Sequence, residues 1–296
     1  MTRVGFLGFG EAGSSIAAGL GAGGITGIVA FDIAWGTSEV MRERALGTRT
    51  EMLDSPADLA ERADVIISAV VCSEAERAAR SIAEHLGPSH WYLDINSVSA
   101  GVKTAIAGLL EPRGVAYVDV AVMSNVSSDL ARLPLLAAGP RAADVPDLFP
   151  GVALDYTTVS DRAGEAARIK MFRSLFVKGL EALALESMMA CWATGVSDQV
   201  LASLEGTFGK YTFPELVHHL IERHAVHGAR RAAELEEVAT SIAEAGVEPI
   251  MAEAGHRRMS WDVERGLQAR FQAGTDPDWR TVLAELERLR MDEAPS

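Results

Sequence analysis

The first half of the chain alternates short, apolar, β-branched runs with Ala-rich stretches of helical period. Residues 4–8, 27–32, 63–71, 91–95 and 116–122 read as strands. Their apolar positions are continuous rather than alternating, as expected of strands covered on both faces of a parallel sheet. Residues 11–20, a pattern around 39–46, 74–85 and 102–110 read as the helices between them, which gives a βαβ rhythm. Residues 135–138 and 153–159 are two further strand candidates. Beyond residue 160 the texture changes to long helical periodicity with almost no strand signal. Residues 162–193 predict one helix of about eight or nine turns, longer than an ordinary globular helix and of the kind that often connects domains. Helices follow at 213–230 or further, 234–245 and 249–258, interrupted at Gly246 and at 260–262. The tail after Met291 reads as frayed. The pattern predicts an α/β domain over 1–160 and an all-α domain over 161–296.

Composition narrows the classes. With 48% hydrophobic and 23% charged residues, the 296-residue chain can bury ordinary cores. A formal charge of −14 argues against a phosphate-backbone partner, so no nucleic acid is expected. Every apolar run falls short of the roughly 18 to 20 residues a membrane span needs, so no membrane partner is expected either. Cys72 and Cys191 lie far apart, and the chain opens directly on a strand-like run, which reads as a reducing cytoplasm. Basic residues number 27, yet only Lys103, Lys170, Lys178 and Lys210 are lysine. Two of these share the predicted long helix.

The first strand runs through VGFLGFGEAG into a helix, placing Gly8, Gly10 and Gly13 at GxGxxG spacing. In such a loop the first glycine makes the tight turn, the second admits a pyrophosphate to the backbone, and the third lets helix and strand pack closely. The N–H groups of Glu11, Ala12 and Gly13 open the helix and face the anion. The next predicted strand ends in Asp32, at about the 20-residue interval where a carboxylate meets a ribose 2′-hydroxyl. Dinucleotide binding follows. The same carboxylate repels a 2′-phosphate, which favours NAD; NADP is possible if Arg42 or Arg44 swings in.

Four segments resemble the β-hydroxyacid dehydrogenase family, which includes 6-phosphogluconate and 3-hydroxyisobutyrate dehydrogenases. They are VGFLGFGEAG, the DINSVS segment beginning at Asp94, VDVAVMSN beginning at Val118, and GEAARIK ending at Lys170. The resemblance implies an α/β Rossmann domain with a mostly parallel sheet, followed by an all-α C-terminal domain that carries substrate and dimer contacts. It implies Lys170 as catalytic acid/base. It also implies a substrate bordered by Asn96, Ser97, Met123, Ser124, Asn125, Ser174 and Lys178, with Ser97, Val71 and Cys72 near the cofactor. The expected partners are a small-molecule substrate and a second copy in a homodimer. Four departures mark an outlying branch: Asn96 and Ser97 stand for Ser and Thr, Ala100 for Pro, Met123 to Asn125 for Ser-Gly-Gly, and Ser174 for Asn.

Ser174 and Lys178 follow Lys170 at i+4 and i+8, so three polar groups share a helical strip in an apolar setting. Burial and a like-charged neighbour both disfavour an ammonium, bringing a lysine toward useful proton-transfer chemistry. Hydride transfer between nicotinamide and a small hydroxy acid or its carbonyl counterpart is the expected activity. An imine reductase-like enzyme and a catalytically silent dinucleotide-binding protein are the alternatives. No metal is expected: His218, His219, His224 and His227 lack companion ligands at metal spacing and read as a solvated or dimer-facing helix.

Overall fold

The computed structural model describes residues 2–271 and 274–292. Eight strands form one sheet in the order β3-β2-β1-β4-β5-β6-β7-β8. They are β1 (Val4–Leu7), β2 (Val29–Phe31), β3 (Glu51–Met52), β4 (Val65–Ser68), β5 (Trp91–Asp94), β6 (Ala116–Val122), β7 (Leu135–Ala138) and β8 (Tyr156–Ser160). All neighbours pair in parallel except β6 with β7. Every residue of β1, β4 and β5 is buried, which is why their sequences show no alternation. Two apolar clusters cover the two faces. One gathers Phe6, Phe9, Leu20 and Val118; the other gathers Leu59, Ile66, Ile82 and Tyr92.

Helices α1 (Glu11–Ala22), α2 (Glu39–Thr48), α3 (Pro56–Arg62), α4 (Ala75–Ala83) and α5 (Ala100–Leu110) connect the parallel strands. Strand β3 and helix α3 are additions to the sequence reading. Helix α3 is seven residues long, capped by Ser55 with Pro56 in its first turn, and too short to show a helical period.

The chain divides into two compact units, Met1–Leu175 and Phe176–Ser296, the division falling inside α6 (Glu165–Thr194). The second unit continues through α7 (Ser197–Phe208), α8 (Phe213–Glu244), α9 (Ile250–Glu264) and α10 (Trp279–Asp292). Two expectations are corrected here. The helices expected at 213–230 and 234–245 are one element, kinked at His227 (φ −124, ψ 18). The interruption expected at 260–262 is absent, and α9 runs through it because its polar residues have tertiary partners. Asp262, 2% exposed, accepts from His224 at 2.8 Å and from Arg258 at 2.8 Å. His224 therefore packs against α9 rather than facing solvent. Glu186 accepts from the N–H groups of Met251 (2.6 Å) and Ala252 (3.0 Å), satisfying the first turn of α9. The frayed tail expected beyond Met291 lies largely outside the described residues. Among the described residues, no helix is long and apolar enough to cross a membrane.

Candidate active site

Two constructions stand at the carboxyl ends of the parallel strands, where open α/β sheets place their ligands. The first is built from backbone. Gly8 leaves β1 at φ +91, and a Cβ there would lie 2.6 Å from the Ala69 carbonyl oxygen, so only glycine fits. Gly10 faces open space, with nothing within 4 Å of where its Cβ would be. It is also the N-cap of α1, and no side chain satisfies that cap, so the first-turn amides are left for a ligand. Asp32 at the end of β2 accepts from Phe9 N–H at 2.8 Å and from Ala34 N–H at 2.9 Å. These two bonds pin the glycine loop to the second strand and leave the carboxylate further lone pairs. A cleft of about 740 Å³ lies alongside, lined by Gly8, Gly10, Asp32, Ile33, Val71 and Arg77. An open glycine, uncapped helix amides and an adjacent carboxylate suit the pyrophosphate and ribose of a dinucleotide. Cys72 is exposed at the start of a 3-10 turn and is not among the cleft's lining residues.

The second construction is built from side chains. Beyond β5 the segment with Asn96 and Ser97 leads into α5, whose first turn is capped by Ser99. Asn96 is buried and donates both amide hydrogens inward, to Asp94 Oδ1 (2.7 Å) and Ser68 Oγ (2.9 Å). Its oxygen accepts from Val70 N–H at 2.7 Å, which braces the loop lining the cleft. Ser97, one residue on, is exposed, and its Oγ accepts from Lys170 Nζ at 2.5 Å. The structure thus joins two segments 73 positions apart in sequence. Met123 packs with Ala121, Ala138 and Ala166, while Ser124 and Asn125 are exposed beside it. Ser174 is half-buried and Lys178 exposed, both further along α6.

Beneath Ser97 lies a polar centre that sequence reasoning missed. Lys103, fully buried, donates to the Asp94 carbonyl at 2.6 Å. It stands 2.9 Å from Asp94 Oδ1 and 3.4 Å from Asp119 Oδ1. Tyr117 donates to Asp94 Oδ2 at 3.0 Å. Asp119 Oδ2 accepts from Ala167 N–H at 2.9 Å, in the first turn of α6. Burial raises the Asp119 carboxyl above its ordinary range, opposed by the Lys103 ammonium and the Ala167 N–H. Burial, and then the charges of Asp94 and Asp119, raise the Tyr117 phenol and keep it a donor. One signal was available in sequence: Lys103 is the sole charge in the otherwise uncharged helix AGVKTAIAGLL.

The comparisons agree with this architecture. Residues 3–144 match the NAD-binding domain of 6-phosphogluconate dehydrogenase, and residues 193–261 match a domain of unknown function, DUF1932. A conserved hypothetical protein from Sinorhizobium meliloti is 31% identical, with 98% of this chain and 97% of that one covered and a TM-score of 0.60. A second conserved protein, described as structurally similar to 3-hydroxyacid dehydrogenases, is 30% identical over 90% of this chain and 99% of its own, with a TM-score of 0.59. The chain belongs to the β-hydroxyacid dehydrogenase family. Its first domain is therefore an NAD(P)-binding Rossmann domain. An imine reductase from Myxococcus stipitatus, solved as a variant in complex with NAD+, shares the fold at 15% identity and a TM-score of 0.73, covering 97% of this chain and 99% of its own.

Proposed function

We propose that this family member is an NAD-dependent oxidoreductase that moves a hydride between nicotinamide and a small hydroxy acid or its carbonyl counterpart. The cofactor, when bound, supplies the hydride chemistry. Gly8, Gly10 and the N–H groups of Glu11, Ala12 and Gly13 hold its pyrophosphate, and Asp32 accepts from a ribose hydroxyl and disfavours a 2′-phosphate. Val71, which lines the cleft, borders the cofactor. As the neutral amine Lys170 takes the proton from the substrate hydroxyl during oxidation, and as the ammonium it gives one to the carbonyl oxygen during reduction. Ser97 orients that ammonium and the reacting oxygen. Asn96 holds the loop in place, and Ser174, Lys178 and the 123–125 loop shape the substrate's surroundings.

The observation that carries this reading is the hydrogen bond from Lys170 to Ser97, at 2.5 Å, between the two segments the family uses for catalysis and substrate. The exposed apolar side chains of α6 in the second unit, Leu180 (55%), Leu185 (64%) and Trp192 (83%), support a homodimer formed through the helical domain. Free Cys72 and Cys191 suit the cytoplasm. The test follows nicotinamide absorbance with a panel of 3-hydroxy acids and their carbonyl counterparts. Lys170→Ala is expected to lower turnover at least about 100-fold, and turnover equal to the wild type would overturn the lysine mechanism.

Reduction of an imine is the second reading. It is favoured by Met123, which fills with a packed thioether the place where the family has small residues, and by a 123–125 loop that carries no cation to meet a carboxylate. Cyclic imines belong in the same panel.

A further inference from the structure

Asp94 and Asp119 are register partners on β5 and β6, so two fully buried carboxylates stand side by side on one face of the sheet. Like charges in that position repel, and the dry interior magnifies the repulsion. Lys103 lies between them and binds both. Such buried ionic clusters are often no more stabilising than packed apolar side chains of equal volume. Stability alone therefore does not account for placing three charges there.

Apart from the Tyr117 bond to Asp94, the outer bonds of the cluster lead to the site. Lys103 reaches back from α5 to the Asp94 carbonyl and carboxylate, closing the loop that contains Asn96 and Ser97 upon itself. Asp94 also accepts from the Asn96 backbone (3.0 Å) and side chain (2.7 Å), and through Asn96 the cleft loop is held at Val70. On the other side Asp119 holds the Ala167 N–H, three residues before Lys170 on the same helix. The entry to α6 is pressed onto α5 as well. Gly164, at φ +94, comes so close that a Cβ would lie 2.9 Å from the Ala100 carbonyl oxygen.

We propose that Lys103 is a positioning residue: by clamping Asp94 to Asp119 it sets the loop bearing Ser97 against the first turn of α6 and so fixes Lys170 Nζ on Ser97 Oγ. The proposal rests on the reading of Lys170 as proton carrier only for its catalytic consequence; the geometry stands by itself. Lys103 touches neither substrate nor cofactor and acts through the two segments it joins.

The small number of lysines makes a direct test practical. In protein labelled with 15N and 13C at lysine, the Lys170 side-chain resonance is identified by its loss in Lys170→Arg. Ser97→Ala gives the position of that resonance without the hydrogen bond. Lys103→Met is expected to move the Lys170 resonance most of the way to that position, with the Lys178 and Lys210 resonances unchanged. Should Lys103→Met not fold, Lys103→Met/Asp119→Asn, which removes one charge of each sign, carries the same expectation. A folded variant whose Lys170 resonance stays at the wild-type position would overturn the proposal. So would a Lys170 resonance indifferent to Ser97→Ala, since no contact would then be there to position. Full turnover in Lys170→Ala would remove the catalytic reading while leaving the resonance result intact, so the two failures are separable.

Discussion

The glycine loop after β1 and the Lys103 centre on β5 and β6 belong to one sheet, with β4 between them, and are made by opposite means. The loop around Gly8 and Gly10 is shaped by missing side chains, and its ligand-facing groups are backbone amides and open space. The centre around Lys103 is shaped by buried side chains paired with one another by charge and hydrogen bonds, leaving Ser97 and Lys170 at its edge. A backbone cradle is local in sequence, tolerates no added atoms at Gly8, and carries little charge. A buried ionic centre draws on Asp94, Lys103, Asp119 and Ala167, and loses most when a single partner is removed.

That difference predicts how each region breaks. Lys103→Met leaves two adjacent buried carboxylates without their cation, and a loss of about 3–5 kcal/mol is expected in urea unfolding. A loss below about 1 kcal/mol would place the centre with exposed ion pairs. Gly8→Ala strains a left-handed position and drives a methyl toward the Ala69 carbonyl, with an expected cost of roughly 1–3 kcal/mol together with weaker NADH binding. Thermal unfolding with and without NADH measures both.

Asp119→Asn has a smaller effect, visible as a slope. Burial raises the Asp119 pKa in the folded protein, so between the unfolded and folded values the native state holds the extra proton. That contribution to stability is present at low pH and is lost as pH rises through the folded value. Asn cannot titrate, and the variant should lose less stability than the wild type across this acidic-to-neutral window. A Tm series across pH checks it; parallel slopes would show that Asp119 has an ordinary pKa.

The same contrast accounts for what could be read from sequence. Strands β6 and β7 fall at the expected residues, because continuous apolar runs bounded by turns are local signals. The GxGxxG loop and Asp32 were legible for the same reason: spacing alone specifies a backbone cradle. Helices α7 and α10 were not anticipated. α7 has no buried residue, and α10 carries paired Glu and Arg along its surface, as in Glu285–Arg288 and Glu287–Arg290. The passage through 260–262 could not be foreseen, because Asp262 there is satisfied by His224 from 38 positions away. Lys103 was visible as an isolated charge in an apolar helix. Its partners on β5 and β6 become neighbours only through the strand register.

The separation of roles is tested most directly by measuring NADH affinity, by fluorescence, in Gly10→Ala and Lys170→Met side by side. A methyl on Gly10 meets no protein atom within 4 Å, so that variant should fold as the wild type does. In the proposed cradle that methyl meets the pyrophosphate, and NADH affinity should fall by about tenfold or more, the equivalent of about 1.4 kcal/mol. Lys170→Met should bind NADH as the wild type does. Unimpaired binding in Gly10→Ala, or an equal loss of affinity in Lys170→Met, would contradict the division between a backbone cradle for the cofactor and a side-chain centre for the chemistry.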